Sequence, residues 1–286
     1  MLLCWQKNKI SALVSYQQSS RAERQLRKIS LHLFIDFFIG HFQPGWTLVN
    51  PAQQQALNVV RHLTQTFRMT SKQIDNCQKI NEWNLGNKVL YDLCSTNFTH
   101  DTTEKILAKT LLIGRAYAAA IERRKNKSGI NDNFYLDTVA PTFKKSKLDK
   151  ILADLKKHKQ ISNDTLPKIL DAHNYLTQLL FDITNLEKRS FSSKYLHFHL
   201  PALFFIYDTR AVSAMRLFVK KLPKELQSLA DRENTDKEYS NFFYKCFFLR
   251  QSINEKFKVL LTPRQLDNLL IETANQKNIK QTKLTA

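Results

Sequence analysis

A chain of 286 residues with 43 % hydrophobic content carries enough apolar material for a sizeable core, which excludes a wholly disordered protein. Its 44 Lys and Arg against 25 Asp and Glu leave a formal net charge of +19, a field that favours nucleic acid first and an anionic membrane surface second. The four cysteines Cys4, Cys77, Cys94 and Cys246 form no C-x-x-C pair, so a disulfide scaffold, a zinc site and a four-cysteine iron-sulfur cluster all lack their ligand spacing.

A reduced, cytoplasmic protein without metal or cofactor is therefore expected. At the N-terminus, Met1 to Val14 and Ile29 to Ile39 are apolar runs broken by Lys7, Lys9, His32 and Asp36. Both are shorter than the ~20 residues that span a bilayer. Their order of charge and apolar residues is not that of a signal peptide. Residues 1–50 read as a helical arm, and no membrane partner is expected. Gly40 to Trp46 and Asn50-Pro51 form a loop signal.

From residue 51 the periodicity is helical throughout. Leu57, Val60, Leu63 and Phe67 recur at helical spacing, and Asp101 with Glu104 opens a helix expected to continue through Ile121. Within it, Leu111 to Arg124 combines small residues with Arg115, Tyr117 and Glu122. The plain reading is a packed helix with a basic end. The functional reading is that Arg115 and Tyr117 reach a site elsewhere in the fold, with Arg115 and Glu122 bracketing a partner or each other.

The polar stretch Lys125 to Asn133 reads as a linker between a helical layer over 51–128 and a second over 134–275. In the second layer Ser146 and Asp149 have capping-box spacing before Ile151 and Leu155. Ser162 precedes a helix carrying Leu166 to Ile183, Tyr239 to Leu261 suits a buried helix, and Thr262-Pro263 opens the last one. Asp231 to Lys237 reads as a charged loop, and residues 276–286 as a flexible basic tail. The expected fold is all-α, a bundle of two packed helical layers or subdomains with a cleft between them. Its oligomeric state stays open.

The most informative stretch is Phe191 to Met215, F-S-S-K-Y-L-H-F-H-L-P-A-L-F-F-I-Y-D-T-R-A-V-S-A-M. Ser192 and Ser193 can cap a helix start, which would put Lys194 in its first turn, where most helices prefer the opposite charge. Pro201 limits that helix, and Asp208 stands as N-cap of the next. His197 and His199 form H-x-H, but on a helix residues i and i+2 point apart, so a metal pair is not expected.

This lysine and the I-Y-D-T of Ile206 to Thr209 resemble the helix-hairpin-helix base-excision DNA glycosylases, nearest the 8-oxoguanine-type branch. There a lysine opens the helix after the hairpin and an aspartate caps a following helix. The likeness covers about twenty-five residues. E-K-R-S-F-S-S stands where the family has a glycine-rich hairpin, and the lysine-to-aspartate interval is shorter.

The resemblance implies Lys194 as Schiff-base nucleophile and Asp208 as the cap that orients it, acting on a base pulled from the stack. Ser193, Tyr195, His197, Tyr207 and Arg210, with Arg115 and Tyr117, are then candidate substrate-binding residues, the aromatics as stacking surfaces. DNA is the expected partner, its phosphates held by Lys/Arg clusters at Arg123 to Lys127, Lys144 to Lys150, Lys156 to Lys159 and Arg216 to Lys224.

The alternative is a non-catalytic α-helical nucleic-acid-binding or interaction module, regulatory or defence-associated. A peripheral membrane protein using the N-terminal apolar runs ranks third. The phosphate-loop, dinucleotide, serine-hydrolase and H-E-x-x-H signatures are absent.

Overall fold

The computed structural model describes residues 69–123, 133–162, 164–222 and 224–285. The chain divides into two units, 1–66 and 67–286, and every described residue lies in the second. The N-terminal arm, the loop before residue 51, the helix of Leu57 to Phe67 and all but the end of the 125–133 linker therefore fall outside the described residues.

The fold is all-α, with eleven α-helices and no strand among the described residues. They are α1 (Ser71–Gln78), α2 (Glu82–Thr96), α3 (Thr103–Ala116), α4 (Ala140–Lys145), α5 (Leu148–Lys156), α6 (Thr165–Thr184), α7 (Arg189–His199), α8 (Thr209–Phe218), α9 (Lys224–Ala230), α10 (Lys237–Phe257) and α11 (Pro263–Thr285). A π-helical turn, Tyr135–Val139, leads into α4.

Side-chain caps set several starts. Thr70 and Gln73 bond reciprocally at α1, as do Asn81 and Asn84 at α2. Asp236 caps α10 with bonds from Glu238 and Tyr239 N–H, and Thr262 exchanges bonds with Gln265 at α11. Each such cap is worth about 1 kcal/mol. Ser162 and Thr165 form a similar reciprocal pair at the start of α6, the helix predicted there.

Two predicted features are corrected. The helix of Asp101 and Glu104 is capped by Thr102 and stops at Ala116 instead of reaching Ile121, because the backbone turns over at Ala118, where φ is 49°. Ala119 N–H returns to Gly114 O at 2.8 Å, and a Cβ on Gly114 would lie 3.2 Å from Ala120 Cα. The reversal thus leaves little room for a side chain at 114.

The Ser146–Asp149 capping box does not form. Ser146 Oγ does accept from Leu148 N–H, but Asp149 turns to His100, accepting its backbone N–H at 3.0 Å and its Nδ1–H at 2.5 Å. At the C-terminus the backbone of α11 stays helical to Thr285, through the stretch predicted as a loose tail.

α7 is the axis of the unit. Every residue from Phe191 to His199 is buried, and the helix packs against α2, α3 and α6. A helix buried all round has no amphipathic stripe, so its polar side chains must find partners inside the protein. α8 lies on α11, which also covers α1, and α10 supports both α8 and α9.

Candidate functional site

The site is built where α7 meets the loop leading into α8. α7 starts at Arg189, not at the serines, so Lys194 sits in the second turn and the helix start exerts no special pull on its charge. Arg189 fixes that start. Its Nε donates to Asp236 at 2.6 Å, Nη1 to Glu238 at 2.9 Å and Nη2 to Glu187 at 2.7 Å, clamping α7 to the first turn of α10.

Lys194 is 1 % exposed. Its ammonium donates to Ser190 Oγ at 2.6 Å, to Asp208 Oδ2 at 3.2 Å and to Tyr207 O at 3.4 Å. Burial lowers its pKa from the usual lysine range, while the Asp208 charge opposes that fall. Burial works to raise the Asp208 carboxyl in turn, but Lys194 and the Arg210 N–H outweigh it and hold the pKa below the ordinary value.

Asp208 caps α8 as predicted, with Oδ1 accepting from Arg210 N–H at 2.9 Å, and its side chain is 22 % exposed. Both of its oxygens are therefore committed within the protein. The Arg210 guanidinium, 57 % exposed, lies 3.7 Å from Asp208 Oδ1.

The other predicted residues divide into three groups. Ser193 is buried behind the pair, donating to Ser190 O and accepting from Tyr207 N–H at 2.9 Å. Tyr195 and His197 are fully buried and spent on the core. Tyr195 OH bonds His100 Nε2 at 2.6 Å, and His197 bonds Phe204 O through Nδ1 and Tyr91 OH through Nε2. Neither presents a free edge for stacking.

Tyr207 is half-buried, its hydroxyl donating to Glu238, and burial with that carboxylate pushes its pKa up to about 12. Tyr117 does reach the site, with its ring centre 5.8 Å from Lys194 Nζ and its hydroxyl on Asn87 Oδ1 at 2.7 Å. Arg115 is exposed and pairs with Glu122 at 2.7 Å across the reversal after α3.

Sequence reasoning missed the far wall of the site. From the first turn of α11, the Arg264 guanidinium lies 5.7 Å from the Tyr117 ring, 5.6 Å from Phe198 and 6.0 Å from Tyr91. Its Nε donates to Tyr91 OH at 3.0 Å and its Nη1 to Asp267 Oδ2 at 3.0 Å. Asp267 is 7 % exposed, and its Oδ1 is buried without a hydrogen-bond partner. Burial raises the Asp267 pKa, with Arg264, Lys194 and Arg210 opposing and Asp208 adding to the rise. One signal was legible. Asp267 falls between Leu266 and Leu269, on the apolar stripe of its helix, where a carboxylate is costly.

Outside this cluster, α8 exposes Arg210 and Arg216, and Lys220 and Lys221 follow it on the surface. Lys245 of α10 donates to Lys220 O at 3.2 Å, and burial together with the Arg216 charge lowers its pKa. Among the described residues no carboxylate pairs with Arg216, Lys220 or Lys221. Members of two other clusters are partly spent. Lys144 bonds Thr103, Lys157 pairs with Asp154, and Lys156 lies over the Phe98 ring.

An open groove lined by Asp171, Asn174, Tyr175, Gln178, Arg232 and their neighbours lies on α6 and holds none of these residues. Cys77, Cys94 and Cys246 are buried and free. Among the described residues no His, Cys, Asp or Glu cluster stands ready to hold a metal ion, and no helix is long and apolar enough to cross a membrane. Comparison of the chain with protein-family models, curated proteins and solved structures finds no match.

Proposed function

We propose that the chain binds DNA and acts on a nucleotide drawn out of the stack, in the manner of a base-excision glycosylase, with Lys194 as amine nucleophile and Asp208 as its orienting carboxylate. The observation that carries this reading is the buried Lys194 amine, 3.2 Å from a carboxylate that caps the next helix. Desolvation moves the amine toward its neutral, nucleophilic form, and the capping bond keeps the carboxylate from turning away.

Ser190 suits either state, since its hydroxyl accepts from an ammonium and donates to a neutral amine. Arg216, Lys220 and Lys221, which pair with no carboxylate among the described residues, supply surface positive charge at and after the end of α8, where backbone phosphates would lie. Base removal would require the side chains that cover the amine to move, because it is closed to solvent.

Trapping tests the reading. The full chain incubated with a duplex containing an abasic site and borohydride should yield a covalent adduct, and Lys194→Met should abolish it. An intact chain that gives no adduct with abasic or lesion-bearing duplex ends the enzymatic reading.

A second reading, a non-catalytic α-helical nucleic-acid-binding or interaction module, is favoured by one observation. All three N–H bonds of the Lys194 ammonium are satisfied inside the protein, as in a clamp between α7 and α8. Salt-sensitive duplex binding without an adduct supports that module.

A further inference from the structure

Resting on the reading of the chain as a DNA-binding protein, we infer that Lys245 of α10 joins Arg216, Lys220 and Lys221 in one phosphate site and anchors it. Lys245 stands alone inside an aromatic run, N-F-F-Y-K-C-F-F. Phe242, Phe243, Tyr244, Cys246, Phe247 and Phe248 are all buried, so in this stretch α10 reaches the surface only at Lys245. Its ammonium donates to Lys220 O at 3.2 Å, which brings it to the loop of Lys220 and Lys221, four residues after Arg216. Two of its three N–H bonds have no protein partner among the described residues.

A lysine stem that covers apolar surface while its head caps a helix end is common, and α8 ends beside this loop. Magnitudes show that capping is only part of the account. A helix C-terminus carries the equivalent of about half a negative charge, against four positive side chains here. Among the described residues no carboxylate pairs with any of the four. Asn241, one turn before Lys245, leads by way of Gln227 to Asp231, but that carboxylate accepts from Gln227 at 3.1 Å.

Burial, and after it the Arg216 charge, lower the Lys245 pKa, as expected of a cation held among cations. A bound phosphate would offset that charge and give its oxygens to the remaining N–H bonds. The four side chains offer donors and no acceptor, so the site takes a phosphate whatever base it carries.

Lysine acetylation of the full chain, read by mass spectrometry, tests this without a substitution. Inorganic pyrophosphate at about ten times its Kd should slow modification of Lys245 about tenfold, because only the free fraction reacts. Lys220 and Lys221 should slow with it, whereas Lys88, 73 % exposed and paired with Asp92 on α2, should not. Protection that spares Lys245, or no protection at all, overturns the proposal.

Duplex binding followed by fluorescence anisotropy over a salt series supplies a second arm. Lys245→Gln should reduce the magnitude of the slope of log K against log salt by about 1, and Lys245→Arg should keep it near native. A native slope in Lys245→Gln overturns the assignment and leaves the DNA reading standing. Pyrophosphate protection in a chain that binds no duplex keeps the phosphate site and ends the DNA reading instead.

Discussion

Tyr207 donates its backbone N–H to Ser193 Oγ at 2.9 Å, one residue ahead of the 3.2 Å contact between Lys194 and Asp208. Both bonds span the same fourteen-residue offset, so the neutral pair holds the charged pair in register. Ser193→Ala removes the acceptor of that N–H in a partly buried setting. The expected cost is about 1–2 kcal/mol in urea unfolding, with a larger proportional loss in Lys194 trapping. A variant that loses stability but traps at the native rate would show that the register does not depend on this bond.

Removing one or the other member of the Lys194–Asp208 pair should have unequal effects on stability. Lys194→Met keeps the volume and leaves Asp208 with the Arg210 N–H, the Arg210 guanidinium and partial exposure to water, so its expected cost is the smaller, about 1–2 kcal/mol. Asp208→Ala strands an ammonium that is 1 % exposed and also uncaps α8, at an expected cost of about 3–5 kcal/mol. Equal costs for the two substitutions would mean that the ammonium is not buried in solution.

The helical class and the caps at Asp208 and Thr262 are legible because they are local, needing only a short polar residue before an apolar period. What stays hidden is α7. Ser192, Ser193, Lys194, His197 and His199 give it the composition of a half-exposed helix, yet all are buried, and the partners of Lys194 and His197 come from distant segments. A sequence period reports which face meets water, and a helix with no wet face has nothing to report. Lys109 carries the same lesson. It falls in helical register with Ile106 and Ile113, and its ammonium is buried against the carbonyls of Asn97, Phe98 and Thr99. The early end of α3 was hidden for another reason, because alanine at 118 takes a left-handed conformation that its helix propensity argues against.

The exposed cations around α8 make a separate prediction about binding. Arg216, Lys220 and Lys221 pair with no carboxylate among the described residues, so their charge is available to a polyanion. Replacing all three by Gln should reduce the magnitude of the slope of log K against log salt by about 3, roughly one per lost phosphate contact. The fold should be unaffected, since each side chain is on the surface. Fluorescence anisotropy with a labelled duplex over a salt series measures this. An unchanged slope would move the polyanion to another face.

The buried histidines predict the acid limit of the fold. Burial pushes His100 and His173 down to about 4 and His197 down to about 3, and His199 lies well below its ordinary value. Hydrogen bonds fix the neutral forms. His197 Nδ1 donates to Phe204 O, which leaves Nε2 to accept from Tyr91 OH, and His100 Nδ1 donates to Asp149 while Nε2 accepts from Tyr195 OH. A base whose folded pKa lies below its unfolded value of about 6.5 takes up its proton first in the unfolded chain, so stability falls as pH drops from about 6.5 toward 4. Each such histidine contributes a slope of roughly 1.4 kcal/mol per pH unit in that window. Asp267 works the other way, because its raised folded pKa makes the native state take up a proton above the unfolded value and offsets one histidine at most. The net expectation is a loss of roughly 4 kcal/mol per pH unit, measured by urea unfolding at pH 7, 6 and 5. His197→Asn should flatten that slope by about a third. A slope no steeper than a single histidine allows would show that the imidazoles around α7 reach water in solution.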